Sequence, residues 1–128
     1  MAIKYKVIQK AQPGVAGGGV KKFYASIVKD GVVTVEELAK EIEKFSSLSE
    51  PDIQSVIIAL ENVIQQKLAD SKTVKLQRLG TFYPSLNSEG RDTEEAVDAR
   101  AIKSVSVIYR PGARIQATLK EAGLKKVK

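Results

Sequence analysis

The sequence contains no cysteine, no histidine and no tryptophan. Without cysteine there are no disulfides and no thiolate metal sites. Without histidine the chain lacks the commonest general base and the commonest transition-metal ligand. Aromatic residues amount to 5%, so the apolar 43% must build a mainly aliphatic core. No apolar run approaches the ~20 residues of a membrane-spanning helix. The opening Met1-Ala2-Ile3-Lys4-Tyr5-Lys6 alternates apolar and basic residues, unlike the unbroken apolar stretch of a secretion signal. The expected compartment is the cytoplasm. No cofactor, metal, membrane or small-molecule substrate is expected, and no catalysis.

What the sequence does have is segregated charge. Lys and Arg number 21 against 15 Asp and Glu, a net charge of +6. Such a balance favours polyanionic partners but says nothing of fold. Residues 1–30 carry six lysines and one aspartate. Residues 101–128 carry seven basic residues and one glutamate. Residues 81–100 reverse the sign, with five acids and two arginines. A chain of 128 residues suits one domain, or a small domain with an extension.

The apolar periodicity predicts an α+β chain. Residues 3–8 and 20–28 read as strands, joined through Gln12-Pro13-Gly14 and Gly17-Gly18-Gly19. Thr34 with Glu37 forms a capping-box pattern, and Val35, Leu38, Ile42 and Phe45 follow at helical spacing to about Ser46. Ser49, Pro51 and Asp52 open a second helix over 50–69. Its apolar stripe from Ile53 to Leu68 is wide enough for more than one neighbour. Residues 73–79 read as a strand with Val74, Leu76 and Leu79 against Lys75, Gln77 and Arg78, ended by a turn at Gly80-Thr81-Phe82. Residues 87–100 read as an exposed excursion. Residues 102–109 alternate as a further strand, stopped by Pro111-Gly112. Arg114 to Ala122 reads as a short helix with Gly123 at its C-cap, and Lys125, Lys126 and Lys128 as a flexible basic tail.

The acid pairs Glu36/Glu37 and Glu94/Glu95 are explained by helix capping and by an exposed loop rather than by acid–base chemistry. Gly17-Gly18-Gly19 lacks the Gly-Lys-Ser/Thr ending of a phosphate loop and reads as a flexible connection. Tyr5, Tyr24, Tyr83 and Tyr109 are scattered through strands, which favours partial burial over base stacking. Lys4, Lys6, Lys21 and Lys22 either extend a basic surface or protect an edge strand from aggregation.

Three segments in this order resemble the HU and integration-host-factor family. They are Ala59-Leu60-Glu61-Asn62-Val63-Ile64, Val74-Lys75-Leu76-Gln77-Arg78-Leu79-Gly80-Thr81-Phe82, and Ile108-Tyr109-Arg110-Pro111-Gly112 leading into Leu119-Lys120. Ile3-Lys4-Tyr5-Lys6-Val7-Ile8 and Lys22-Phe23-Tyr24-Ala25 are similar to the HU-like variants that carry an added N-terminal strand pair. The resemblance implies a β-hairpin extension over 1–33 and an HU-like DNA-binding domain over 34–128. It also implies a homodimer with a helical base and an antiparallel sheet saddle, from which two arms reach the minor groove of double-stranded DNA. The implied role is a histone-like, nucleoid-associated protein that holds the DNA backbone with little sequence preference. Candidate phosphate contacts are Lys75, Arg78, Lys103, Arg110, Arg114, Lys120, Lys125 and Lys126. For Lys75 and Arg78 the alternative is a solvated strand face, and for Arg110 and Arg114 it is a salt bridge. The sequence departs from the pattern at the arm, whose centre is acidic where phosphates would repel it. Ala113 stands where a lysine usually follows Pro-Gly, and Arg114 is placed to replace that contact. The acidic centre motivates a second reading, a structural or protein-interaction module with a degenerate arm.

Overall fold

The computed structural model describes residues 1–127, which form three α-helices and six β-strands. They divide into two compact units, one made of 1–32 with 116–128 and the other of 33–115.

In the larger unit, α1 spans Val35–Glu43 and α2 spans Glu50–Ala69. Both start where a side chain relieves orphan backbone donors. The Thr34 hydroxyl accepts from the Glu37 N–H at 3.3 Å. The Ser49 hydroxyl accepts from the Asp52 N–H at 3.4 Å and donates to the Asp52 carboxylate at 2.8 Å. Helix α1 stops sooner than its spacing predicts. Phe45 falls in the turn beyond it, its N–H donating to the Ile42 carbonyl, and its ring is exposed. Helix α2 turns Ile53, Ile57, Ile64 and Leu68 inward. Val56, Leu60 and Val63, on the flank of the same stripe, remain exposed.

Three strands complete this unit in the order β3-β4-β5: Val74–Lys75, Gly80–Ser88 and Ile102–Pro111, all antiparallel. The expected strand over 73–79 is corrected here. Only Val74 and Lys75 are extended, and a 3-10 turn follows at Gln77–Leu79. The turn closes through Leu76 N–H to the Gly80 carbonyl at 2.8 Å and Leu79 N–H to the Leu76 carbonyl at 3.1 Å. Gln77 takes φ +53° and Gly80 φ +131°. Gly80-Thr81-Phe82 therefore does not end a strand but begins the next one. The alternation of Val74-Lys75-Leu76 breaks at Gln77-Arg78, which marks the end of the strand but not the reversal of the chain that follows.

The excursion is also shorter than expected. Strand β4 keeps Asn87 and Ser88, so the connection to β5 runs over 89–101. It is folded on itself by 3-10 turns at Glu94–Ala96 and Ala99–Ala101, and Ala101 is buried. Glu89 N–H donates to the Ala101 carbonyl across its base at 2.9 Å. Two of its acids bind its own arginines: Arg91 pairs with Glu89, and Arg100 pairs with Asp98 at 2.7 Å. The Arg100 hydrogen bonds hold the Asp98 carboxyl below the usual range.

In the smaller unit, β1 (Ile3–Lys10) pairs antiparallel with β2 (Lys22–Ile27) and parallel with β6 (Leu124–Lys126). The basic tail is thus a strand through Lys126, not a flexible end, while Lys128 lies outside the described residues. Its register places Leu124 beside Ile3 and Lys125 beside Lys4. The ladder is fastened at both ends, by Ile3 N–H to the Gly123 carbonyl and Val127 N–H to the Tyr5 carbonyl. Gly123, at φ +81°, lets α3 (Ala113–Glu121) end there as its C-cap position requires.

Among the described residues, Ala39, Ile53 and Ala101 alone are buried apolar residues, and no large side chain is fully enclosed. The accessible surface is 10,657 Å². A single compact monomer of 13.9 kDa would expose about 6,700 Å², and two separate compact units of these sizes about 8,000 Å². Helices α1 and α2 and strand β5 all leave large aliphatic side chains in water.

Candidate nucleic-acid interface

Cross-strand register decides which side chains share a face of the β3-β4-β5 sheet, because directly opposed residues point to the same side. Lys75 lies opposite Thr81, and Thr81 opposite Arg110. Lys75, Thr81 and Arg110 thus form one row, with the two cations two strand spacings apart, about 10 Å. The same face continues through the pairs Tyr83–Ile108, Ser85–Ser106 and Asn87–Ser104. The other face holds Val74, Phe82 and Tyr109, Pro84 and Val107, Leu86 and Val105, all apolar or aromatic. One side of the sheet is therefore polar and cationic, and the other is greasy.

The arginines are held by backbone geometry. Arg110 lies over the Tyr83 ring at 5.2 Å from its centroid, which limits the swing of the guanidinium. Arg78 stands on the Gln77–Leu79 turn, and that turn is locked against the end of β5. The Tyr109 hydroxyl donates to the Leu79 carbonyl at 2.6 Å. Phe82 packs on the Tyr109 ring at 5.0 Å. Gly112 sits so close to the turn that a Cβ there would land on the Arg78 carbonyl. Gly80 lies against Arg110 and Pro111, and its Cβ would meet Tyr109 Cε1 at 2.7 Å. The two glycines bring Arg78 beside Arg110 and the start of α3, where Arg114 stands exposed.

The eight basic residues expected from sequence are all exposed, but they do not form one site. Lys75, Arg78, Arg110 and Arg114 belong to the larger unit and gather about the β3–β4 turn and the end of β5. Lys103, also in this unit, is set apart. Pairing steps from Asn87–Ser104 to Ser88–Ile102, so Lys103 is the extra residue of a bulge and has no partner on β4. Lys120, Lys125 and Lys126 belong to the smaller unit. Tyr5, Tyr24 and Tyr83 are half-buried as expected, whereas Tyr109 is exposed and spends its hydroxyl on the turn.

Sequence reading missed Thr81, Tyr83, Ser85, Asn87, Ser104 and Ser106. Thr81 stands between the two cations, and the others carry hydroxyl and amide groups along the same face away from that row. The signal was present as strict alternation from Thr81 to Asn87, but Pro84 in its middle argued against a continuous strand.

A helix pair followed by an antiparallel three-stranded sheet, a Pro-Gly junction and a short helix define an α+β domain of the HU type. The family model for an HU domain fused to a winged helix-turn-helix, immunoglobulin or glycine-rich motif matches residues 1–126, and the chain belongs to that family. Thirteen solved chains match the fold. Among them is a crystal structure from Bacteroides vulgatus of a protein provisionally described as a bacterial DNA-binding protein, with a TM-score of 0.68 at 13% identity. The match covers 99% of this chain and 49% of that one, so the chain spans about half the length of the solved protein. No curated protein matches the sequence.

Proposed function

We propose that this chain is a non-catalytic, histone-like protein that holds double-stranded DNA by its backbone, with little preference for sequence. The observation that carries this reading is the Lys75–Thr81–Arg110 row on a polar sheet face, with Arg78 locked beside it. Cations interleaved with hydroxyls suit phosphates and sugars, which position a protein on a duplex without reading bases. Membership of the HU-type family, and the description of the Bacteroides vulgatus neighbour, support it. Arg114 extends this surface from α3, and Lys103, Lys120, Lys125 and Lys126 contribute from their own positions. The place of action is the nucleoid in the cytoplasm.

The working form is a homodimer. A surface thousands of Å² larger than compact units would expose, and rich in aliphatic side chains, is what half of an interwoven pair presents. The HU-like DNA-binding domain is 34–128, and 1–33 is an added hairpin, which β6 extends.

The test is a duplex titration at several salt concentrations. Lys75→Gln with Arg110→Gln should lower the slope of log affinity against log salt by about two units, since each phosphate contact contributes about 0.9. An unchanged slope with native circular dichroism would assign the fold to a structural or protein-interaction role instead. The acidic connection favours that second reading, and a further variant isolates it. Replacing 89–101 by a short glycine-containing turn should leave duplex affinity equal or higher, because the segment holds five acids and two arginines. Loss of binding in that variant with the fold intact would make the connection a recognition arm.

A further inference from the structure

We propose that the lysine face of the N-terminal sheet is a second surface for the phosphate backbone of double-stranded DNA, separate from the β3-β4-β5 face. The inference goes beyond the site above and does not depend on it.

The register of the β2-β1-β6 sheet sorts its side chains cleanly. Lys4, Lys6, Ile8 and Lys10 share one face of β1 by alternation. Opposite them stand Lys125 beside Lys4, Ser26 beside Lys6, Tyr24 beside Ile8 and Lys22 beside Lys10. Five lysines thus occupy one face. Two pairs of them, Lys10–Lys22 and Lys4–Lys125, are directly opposed like charges, an arrangement that destabilises a sheet left to itself. One neutralising contact is present: Lys4 binds Asp30 at 2.6 Å. Lys6, Lys10, Lys22 and Lys125 have no ion-pair partner among the described residues. Lys10 lies over the Tyr24 ring at 5.0 Å, which steadies its ammonium group without neutralising it.

The dimensions select the ligand. Lys4 to Lys10 spans six residues of strand, about 20 Å. Cations spread over that length do not converge on one phosphate group. They match a continuous polyanion, and duplex DNA presents a charge about every 1.7 Å of axis. The distribution of apolar groups argues against a membrane surface. Phe23, Ile27 and Leu124 are exposed, but register places them on the opposite face with Ile3, Tyr5 and Val7. The paired residues of the lysine face offer only the half-buried Ile8 and Tyr24 as apolar or aromatic groups, and Lys10 lies over the Tyr24 ring.

The experiment uses the full chain with Lys6→Gln, Lys10→Gln and Lys22→Gln combined. Duplex binding is titrated over a salt series beside the Lys75→Gln/Arg110→Gln variant, and co-sedimentation with phosphatidylserine-containing vesicles is measured in parallel. The expected result is a salt slope lower by about 2.7 units, three contacts at about 0.9 each. The melting temperature without DNA should be unchanged or higher, because opposed like charges have been removed. If the triple variant unfolds, Lys6→Gln alone, opposite the neutral Ser26, should lower the slope by about 0.9. A slope that falls only in the Lys75→Gln/Arg110→Gln variant would overturn this inference and leave the sheet site standing. A fall only in the N-terminal variant would do the reverse. A loss confined to vesicle binding would assign the surface to membranes and overturn it.

Discussion

Replacing Val56 and Val63 together by aspartate is expected to leave the chain unfolded at micromolar concentration, and the parent is expected to sediment at twice the chain mass. In a lone protomer these two side chains are 56% and 51% exposed. A substitution at half-exposed surface positions of a true monomer would change stability by roughly ±0.5 kcal/mol each. If a partner covers them, two uncompensated carboxylates are taken out of water, and the cost rises to several kcal/mol. Obligate dimers of this sort have no stable folded monomer to fall back on. Circular dichroism and sedimentation of the double variant therefore decide the matter. A folded aspartate variant at the monomer mass would refute the dimer.

The second large effect concerns Gly112. Alanine there should destabilise the protein by about 2–3 kcal/mol, because the contact is backbone on backbone and no rotamer can relieve it. The methyl would meet the Arg78 carbonyl group, with its carbon at 2.8 Å. Either the Leu76–Gly80 turn moves away or the start of α3 does. Both movements separate Arg78 from Arg110, so duplex affinity should fall along with stability. Gly90 supplies the control, since a methyl there meets nothing within 4 Å and the backbone conformation suits any residue. Gly90→Ala should lie within about 0.5 kcal/mol of the parent. Equal denaturation midpoints for the two alanine variants would show that the turn is not held in the way described.

The helices were legible because their signals are local. Thr34 with Glu37, and Ser49 with Asp52, announce helix starts through hydrogen bonds that need only four consecutive residues. The paired strands 3–10, 22–27 and 102–111 were legible by alternation, and the Pro-Gly stop after the last of them marked the start of α3. Three things were not legible, each for a physical reason. The reversal at Gln77 requires a left-handed backbone at a residue with no particular taste for it, imposed by Tyr109 and Gly112 from over thirty residues away. Strand β6 is three residues long, and its pairing with β1 is set by a neighbour at the other end of the sequence. The polar face of the candidate site depends on register, and register is a property of two strands rather than of one. The basic residues could be named from sequence, but their separation into two groups could not.

The β1–β6 pairing has a consequence for how the protein is made. Ile3 leaves the ribosome more than a hundred residues before its neighbour Leu124. Until then the N-terminal sheet exists as a two-stranded hairpin, which is marginal in water. One long rim of β1 stays open throughout synthesis, flanked by exposed Phe23 and Ile27 on the adjoining strand. The lysines of β1 and β2 then protect the nascent chain, since charge on an open rim discourages stray strand pairing. Closure of such a distant contact is slow relative to helix formation. The β2-β1-β6 sheet should accordingly be the last of the described elements to gain protection from hydrogen exchange during refolding, although two of its strands precede the larger unit in the sequence.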